Sequence, residues 1–283
     1  MQSKRAAAEA VDEAAGAGWR KSKRRRIRDA AAEREDCPID FCVENPLDGK
    51  LWGTAAVQGL LDRHADAALF SATSYCHYGF AYRKRTGLLT SFPLSLAQPC
   101  PANPCVHRRA GQSHPHGVQG SAAPQKNSIP SALTDAIVRA WSARTPWARH
   151  RLFVDLFAGF GSVGRAAGAH AGVRVFSVDI VKGRGCSVEL DVGKFAPDTI
   201  VKMAILRRFR QEEDPQLPPR LGVDAMKRWL RASGIAVLVH CSVPCETYSV
   251  ASGSKHRQKG SCAADSERAR QHDAMNSGLL WWM

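Results

Sequence analysis

The chain has 283 residues, of which 44% are apolar and 23% charged. This length and composition exclude a disordered chain and allow one α/β domain with attachments, or two small domains. No apolar run reaches the ~18 residues that a bilayer span needs, and the N-terminus lacks the apolar centre of a secretory signal. Nine cysteines without a regular framework then indicate reduced thiols. We therefore expect a protein that is not secreted, nuclear in a eukaryote and otherwise cytoplasmic.

The charge of the chain favours a polyanionic partner. The formal net charge is +14 and the isoelectric point is about 9.7, a balance typical of proteins that bind nucleic acid. Part of the excess lies in "KSKRRRIR", residues 21–28, which also resembles a nuclear-localisation signal. A basic tail on an ordinary enzyme would give the same balance, so charge alone leaves both interpretations open.

In chain order, residues 1–36 are Ala-rich and charged, and we expect a flexible or helical extension. "PIDFCVENP", residues 38–46, predicts a buried strand with Glu44 near its end. "LWGTAAVQGLLDRH" has helical spacing, and "SATSYCHYGFAYRKRTGLLTSF" is aromatic and β-prone. Residues 93–126 are rich in Pro, Gly, His and Cys and predict a loop-dominated insert.

The second half alternates between strand and helix patterns. "IPSALTDAIVRAWSA" predicts a helix, followed by a linker up to residue 150. Strands are then predicted at "RLFVDLF", "VRVFSVDI" and "IAVLVH", separated by three helical patterns, and a last helix is predicted in "SERARQHDAMNSGLLWWM". This regular succession predicts an α/β fold with a mostly parallel, doubly wound sheet.

Three glycines follow the first strand of this half. "DLFAGFGSVG" places Gly159, Gly161 and Gly164 between a strand and a helix, where a ligand can approach the backbone. Asp179 ends the next strand, close to the spacing at which a carboxylate receives a ribose diol. Asp191 adds an acceptor for an adenine amino group. Together these residues predict a nucleoside-cofactor pocket.

Five separated motifs resemble those of S-adenosylmethionine-dependent DNA cytosine-5 methyltransferases. "LFAGFG" resembles the first motif of that family, and "CSVPCETYS" the fourth, a strand that ends in Pro-Cys. "FCVENP" is similar to the sixth, a strand ending in Glu-Asn. "YGFAYRKRT" resembles the eighth, with two arginines one residue apart, and "KNSIPSALTDAI" resembles the tenth. The resemblance covers roughly residues 38–283 and implies a Rossmann-like class I methyltransferase fold.

The order of the motifs is rotated. The chain starts at the Glu-Asn strand and finishes just after the Pro-Cys, which is similar to the rearranged order of plant domains-rearranged methyltransferases. The rotation is physically credible because the final helix of the ordinary order packs beside the first strand, so a short linker can join them. We divide the chain into a basic extension (1–36), the Glu-Asn and Arg motifs (37–92), a small irregular target-recognition insert (93–126), the final-motif helix and linker (127–150) and the cofactor-binding half with the Pro-Cys loop (151–283).

The resemblance implies a role for each matched residue. Cys245 would be the nucleophile that adds to carbon 6 of cytosine. Glu44 would hold and protonate ring nitrogen 3, and Arg85, with Arg83, would anchor the base carbonyl or a nearby phosphate. The cofactor S-adenosylmethionine would contact Phe157, Gly159, Gly161, Asp179, Asp191 and Asn127.

Two other interpretations stay open at this point. The same site serves RNA cytosine methylation, as in a tRNA-modifying branch of the family, and a catalytically silent nucleic-acid-binding protein would keep the same fold. The partner is expected to be DNA, with RNA as the alternative, and the protein a monomer. Cys241 lies nearer the strand end than Cys245 and is interpreted as a packed thiol.

The insert, together with a Cys-His pair earlier in the chain, carries residue types that bind zinc. A Cys-x4-Cys-x-His cluster could hold the ion, but the spacing fits no regular finger pattern, so the sequence assigns no metal site and leaves zinc open. The residues concerned are Cys76, His77, Cys100, Cys105, His107, His114 and His116.

Overall fold

A single mixed sheet of seven strands organises the fold. The computed structural model describes residues 37–63, 68–80, 82–100, 128–180, 186–209, 222–243 and 262–282. The strand order in the sheet is β2-β3-β1-β7-β4-β5-β6. The strands are β1 (Ile39–Pro46), β2 (Leu69–Ser74), β3 (Arg85–Thr90), β4 (His150–Leu156), β5 (Val173–Asp179), β6 (Val188–Glu189) and β7 (Ile235–Ser242).

Five neighbouring strands of this sheet run parallel, from β1 through β7, β4 and β5 to β6. At the other edge β3 pairs antiparallel with both β1 and β2. The sequence prediction of an α/β fold with a mostly parallel sheet is confirmed. The structure is compatible with a Rossmann-like fold.

Six α-helices lie within the described residues. They are α1 (Ala55–Arg63), α2 (Ser131–Arg144), α3 (Ser162–Gly168), α4 (Pro197–Phe209), α5 (Val223–Ala232) and α6 (Glu267–Trp282). None of the helices in these ranges is both long and apolar enough to span a bilayer.

Strand alternation gives the sheet two buried faces. In β7, Val237, Val239 and Cys241 face one hydrophobic cluster, whereas Ala236 and Leu238 face another. The first cluster includes residues of α1, α4 and α5, and the second includes residues of α2 and α3. Because both faces are covered, the strands read as continuous apolar runs in the sequence.

Helix α2 leads into the first strand of the second half. Its residues Leu133, Ile137 and Trp141 are buried with Phe153 of β4 and Ala167 of α3. Five residues between Arg144 and His150 suffice for the connection, because α2 packs beside α3 on the face of the sheet to which Phe153 of β4 points.

Three local details differ from the sequence prediction. The pattern at residues 51–64 predicts one helix, but Lys50–Gly53 form a 3-10 turn and α1 begins only at Ala55. The aromatic β-prone segment is divided into β2, a 3-10 turn at Tyr75–Tyr78, and β3. Strand β6 has two residues, too few for any hydrophobic period to predict it.

Candidate functional site

The parallel strands all end on the same side of the sheet, and several of the predicted site residues that the structure describes lie at those carboxyl ends. Glu44 lies near the end of β1, beside Ser242 at the end of β7. Asp179 is the last residue of β5. In an open α/β sheet the carboxyl ends of the strands form the crevice that binds ligands. The fold thus brings the Glu-Asn strand and the glycine turn, far apart in sequence, to the same side of the sheet.

Glu44 is buried and held by four side chains. The Tyr75 hydroxyl donates to Oε1 at 2.9 Å, the Thr86 hydroxyl donates to the same oxygen, and the Lys84 Nζ lies 3.4 Å from it. The Ser242 hydroxyl donates to Oε2 at 3.1 Å. A carboxylate that is only 4% exposed needs such partners because its charge has lost the solvation of water.

These partners decide the ionisation of Glu44. Burial raises the pKa of Glu44, but the charge of Lys84 and the hydrogen bonds from Thr86 and Tyr75 outweigh that effect, so the pKa lies below its usual value. Burial and the neighbouring Glu44 charge raise the pKa of Tyr75 well above its usual value. Tyr75 therefore stays a protonated donor and Glu44 an ionised acceptor.

The segment before the predicted nucleophile is fixed against the Glu-Asn strand. In the parallel pairing of β1 with β7, Glu44 lies opposite Ser242. The Asn45 Nδ2 donates to the Val243 carbonyl at 3.1 Å, one residue further along. Cys245 itself lies outside the described residues, so its assignment as nucleophile stays a prediction.

Cys241, the other cysteine of that segment, is buried near the end of β7. It is 1% exposed and belongs to the apolar cluster on the α1 face of the sheet. Burial, followed by the nearby Asp155 carboxylate, raises the pKa of the Cys241 thiol far above its usual value. A thiol in these surroundings stays protonated and is unsuited to nucleophilic attack.

Arg85 is the first residue of β3, and Arg83 precedes that strand by two residues. Because β3 runs antiparallel to β1, it begins beside the end of β1. The Arg85 Nη1 lies 3.5 Å from the Asp48 carboxylate, which is largely exposed. The Nε of Arg83 is buried and makes no hydrogen bond within the described ranges. An ion pair with an exposed carboxylate is weak and exchangeable.

The glycine turn after β4 has an unusual backbone. Phe157, Gly159 and Gly161 all have positive φ, at 59°, 54° and 67°. The turn is stabilised by hydrogen bonds from Ala158 N to the Val178 carbonyl and from Gly161 N to the Ala158 carbonyl. Among the described residues, a side chain at Gly159 would meet only the Phe157 carbonyl, at 3.9 Å, so these residues leave the space beside the turn open. Positive φ at Phe157, a bulky residue, is typical of functional sites.

Two predicted acidic residues adjoin this turn. The Gly159 N–H donates to Asp179 Oδ2 at 2.7 Å, so that carboxylate is held directly beside the turn. The Leu190 N–H donates to the Asp179 carbonyl, which places Asp191 one residue beyond. Asp191 is half-buried and its carboxylate lies 3.6 Å from Lys194 Nζ. Asn127 lies outside the described residues.

Three of the residues that hold Glu44 were not predicted from the sequence. Tyr75 belongs to the 3-10 turn after β2, while Lys84 and Thr86 flank the predicted Arg85. Lys84 also lies over the Tyr75 ring, with its Nζ 4.7 Å from the ring centroid. One signal was available, because Lys84 and Thr86 are two residues apart, as are residues on one face of an extended chain.

A buried Asp-His pair lies behind the site. The His240 Nδ1 is 2.9 Å from Asp155 Oδ1, and both side chains are almost fully buried. The His240 ring stacks on Phe153, with centroids 5.8 Å apart. The pair joins β7 to β4 near the ends of both strands. By strand alternation, these two side chains and Glu44 point to the same face of the sheet. The pair therefore fixes the strand that leads to Cys245 relative to the strand that leads to the glycine turn.

Comparisons with known proteins give no relative: no family model matches the chain, and no curated protein is significantly similar to it. The function of the site is therefore inferred from its own residues.

Proposed function

We propose that the protein transfers a methyl group from S-adenosylmethionine to carbon 5 of cytosine in DNA, through a covalent bond between Cys245 and the base. The observation that carries the proposal is the hydrogen bond from Ser242 to Glu44, which links side chains 198 residues apart. Cys245 follows Ser242 by three residues. A cysteine that adds to a cytosine ring and a carboxylate that holds the same ring must lie no further apart than the width of one base. The Ser242–Glu44 hydrogen bond supports that arrangement, because it brings the segment that leads to Cys245 beside the carboxylate.

Cys245 is the nucleophile in the proposed reaction. The Cys245 thiolate forms a bond to carbon 6, which makes carbon 5 nucleophilic. S-adenosylmethionine, when bound, supplies the electrophilic methyl group. Transfer of the methyl group leaves S-adenosylhomocysteine. Solvent water would then take the proton from carbon 5, the electron pair of that bond would re-form the double bond between carbons 5 and 6, and the bond from carbon 6 to sulfur would break to regenerate the Cys245 thiolate.

The lowered pKa of Glu44 refines the role expected of it. In the free protein this carboxylate is ionised and accepts hydrogen bonds, so it would first accept one from the exocyclic amino group of the base. Donating a proton to ring nitrogen 3 requires that Glu44 first acquire one. Glu44 would therefore take up a proton from solvent before it donates one to the base.

The glycine turn and its acidic neighbour suit the nucleoside part of the cofactor. The described residues leave the space beside Gly159 open, and Asp179 is held next to it. In the proposed complex Phe157, Gly159 and Gly161 would contact the cofactor and Asp179 would accept the ribose hydroxyls. Asp191 and Asn127 would complete the pocket.

The arginines and the overall charge suit a nucleic-acid substrate. Arg85 pairs with an exposed carboxylate that a phosphate or base carbonyl would replace at little cost. The cytosine of a duplex must be flipped out of the stack, at a cost of roughly a few kcal/mol. The basic balance of the chain would help to meet that cost by binding the flanking phosphates.

One observation favours a second candidate, a catalytically silent nucleic-acid-binding protein. Oε1 of Glu44 already faces three donors, from Tyr75, Thr86 and Lys84. A carboxylate satisfied in this way is also what a purely structural role requires. The two candidates differ in whether a covalent bond to the base ever forms.

A covalent trap distinguishes these functions. The protein is incubated with S-adenosylmethionine and duplex DNA or tRNA carrying 5-fluorocytosine, because fluorine at carbon 5 blocks the final elimination. We expect a denaturation-resistant adduct with DNA that requires the cofactor and is lost in Cys245→Ser. Cys37→Ser, which keeps a hydroxyl donor toward the Ile39 carbonyl, is the matched control. An adduct with tRNA alone would reassign the substrate, and no adduct with either polymer would favour the silent protein.

Glu44→Gln tests the carboxylate in the same reaction. The amide keeps the shape and can still accept one hydrogen bond, but it has neither the charge nor a transferable proton. We expect methyl transfer to slow by roughly 10²–10⁴-fold while the protein stays folded. An unchanged rate would remove Glu44 from the mechanism.

A further inference from the structure

Three residues with metal-binding side chains meet beside the site, although their spacing in the sequence fits no regular finger pattern. The Sγ atoms of Cys76 and Cys100 and a ring nitrogen of His77 all lie within 4.8 Å of one another. Within the described ranges, no other group of three or more His, Cys, Asp or Glu side chains converges in this way. Both cysteines are buried, at 6% and 2% exposure, and form a separate small cluster.

The fold brings these residues together through the end of β2. Cys76 and His77 belong to the 3-10 turn at Tyr75–Tyr78, which directly follows β2. Cys100 comes more than twenty residues later, and its backbone N–H donates to the Ser74 hydroxyl at 3.0 Å. Ser74 is the last residue of β2 and is fully buried. This hydrogen bond places Cys100 beside the turn, although the sequence spacing of the three residues matches no regular zinc motif.

We propose that Cys76, His77 and Cys100 bind a zinc ion. Tetrahedral zinc has bonds of ~2.3 Å to sulfur and ~2.0 Å to nitrogen, which places its ligand atoms about 3.7 Å apart. Donor atoms within 4.8 Å of one another leave a central point no more than about 2.8 Å from each of them. Small rotations of the side chains therefore close the site. Two thiolates and an imidazole bind zinc in preference to harder cations such as Mg²⁺ or Ca²⁺.

The ordinary alternative for two adjacent buried cysteines is a disulfide. The structure has no disulfide between them, although they lie close together. A disulfide would use both sulfurs and leave His77 without a role, whereas a zinc site uses all three groups. Cys105 and His107 follow Cys100 in the sequence but lie outside the described residues. The proposal rests on the three described ligands and leaves the fourth position open.

A zinc ion here would stabilise the residues around Glu44. Tyr75 precedes Cys76 in the same turn, and its hydroxyl donates to the Glu44 carboxylate at 2.9 Å. The Tyr75 N–H also donates to the carbonyl of Lys84, the other neighbour of Glu44. Fixing the turn through Cys76 and His77 would fix Tyr75. The metal assignment does not depend on the proposed methyl transfer, because a silent protein would need the same turn.

The test is the metal content of the full chain. The protein is purified under reducing conditions, supplied with zinc, passed through a desalting column and analysed by mass spectrometry of the elements. We expect about one zinc per chain. In Cys76→Ser and Cys100→Ser we expect at least a tenfold loss of bound zinc, whereas Cys37→Ser, an equivalent change outside the cluster, retains it.

Cobalt substitution keeps the proposal falsifiable if a variant fails to fold. Co²⁺ bound to the unaltered chain should give the visible absorption of a tetrahedral ion and a thiolate charge-transfer band in the near ultraviolet. Both signals should disappear when zinc is added. Absence of zinc and of these bands, zinc retained by both Cys→Ser variants, or a disulfide between Cys76 and Cys100 in freshly reduced and desalted protein would each overturn the assignment.

Discussion

At the scale of single residues, Glu44 shows how a buried carboxylate is kept ionised. Removing it from water raises its pKa, and Lys84 is the neighbour that contributes most in the opposite direction. Lys84 is itself mostly buried, with its side chain 15% exposed. Breaking such a pair costs more than breaking a surface pair, because the remaining charge has no water to replace its partner.

Lys84→Met tests this pair, because it removes the charge and keeps much of the side-chain volume. We expect the free energy of unfolding near pH 7 to fall by about 1–3 kcal/mol, measured by urea denaturation. Arg270→Met is the control, because Arg270 pairs with Glu267 at 3.1 Å on an exposed part of α6. That change should cost under about 0.5 kcal/mol. Equal losses in the two variants would contradict the importance of the Lys84–Glu44 pair.

The pH dependence of the same variant has a definite sign. With Lys84 present, the folded pKa of Glu44 lies below its usual value of 4.5. The Glu44 contribution to stability is then fully present above pH 4.5 and is lost as the pH falls through the folded pKa. Without Lys84 the largest of the effects that lower it is gone, so the folded pKa of Glu44 rises. The stability difference between the two proteins should therefore shrink on acidification, and a constant difference would refute this account.

At the scale of elements, the contact between α3 and β5 depends on Gly164. A Cβ at this position would lie 2.5 Å from the Ser177 Oγ and 3.2 Å from the Val175 Cγ1. Helix α3 begins directly after the glycine turn, at Ser162. Any displacement of the helix from the sheet would therefore also move the backbone of the proposed cofactor pocket.

We expect Gly164→Ala to lower the free energy of unfolding by about 1–3 kcal/mol and to weaken S-adenosylmethionine binding. Thermal denaturation and calorimetric titration measure the two effects. Gly168→Ala, in the same helix, is the control, since its Cβ would make an ordinary 3.4 Å contact with Val175. Adding Ser177→Ala to Gly164→Ala should restore much of the loss by removing the 2.5 Å contact. If the double variant is no better, that contact is not the cause.

Elements could be predicted from the sequence more completely than the site. The buried strands have apolar runs that end at Asn, Pro, Gly or Asp, so their positions were visible. The motif resemblance implied that Glu44 lies near the Pro-Cys segment, but the hydrogen bond from Ser242 to Glu44 was not predicted. Tyr75 was not predicted, because its contact with Glu44 depends on the antiparallel edge of β2 and β3 and on the 3-10 turn between them. No local period encodes that arrangement.

At the scale of the whole molecule, β1, the first strand within the described residues, lies inside the sheet. β1 pairs on one side with β3, its near neighbour in sequence, and on the other with β7, about 200 residues later. Helix α6 then packs against α1, which follows β1. The two halves of the chain therefore close one core together. Non-local pairing of this kind is intrinsically slow to form, since the chain must close a long loop first.

The distribution of charge yields the last prediction. The first 36 residues carry ten Lys or Arg and seven Asp or Glu, a net charge of only +3. Within them, however, residues 21–28 hold six basic side chains and no acidic one. A dense basic run binds phosphates and releases counterions whatever the net charge of the surrounding segment. Residues 21–28 should therefore contribute to DNA affinity but not to the chemistry.

We expect deletion of residues 21–28 to weaken duplex binding and to reduce the slope of log affinity against log salt by about 2–5, measured by fluorescence anisotropy. The rate of adduct formation at saturating DNA should stay the same, because the site lies on the sheet edge around Glu44. Deletion of residues 8–15, equal in length but with three acidic and no basic side chains, is the control. It should leave the slope unchanged. If both deletions leave it unchanged, the DNA contacts belong to the remaining chain, whose net charge is +11, and Arg83 and Arg85 become the first positions to test.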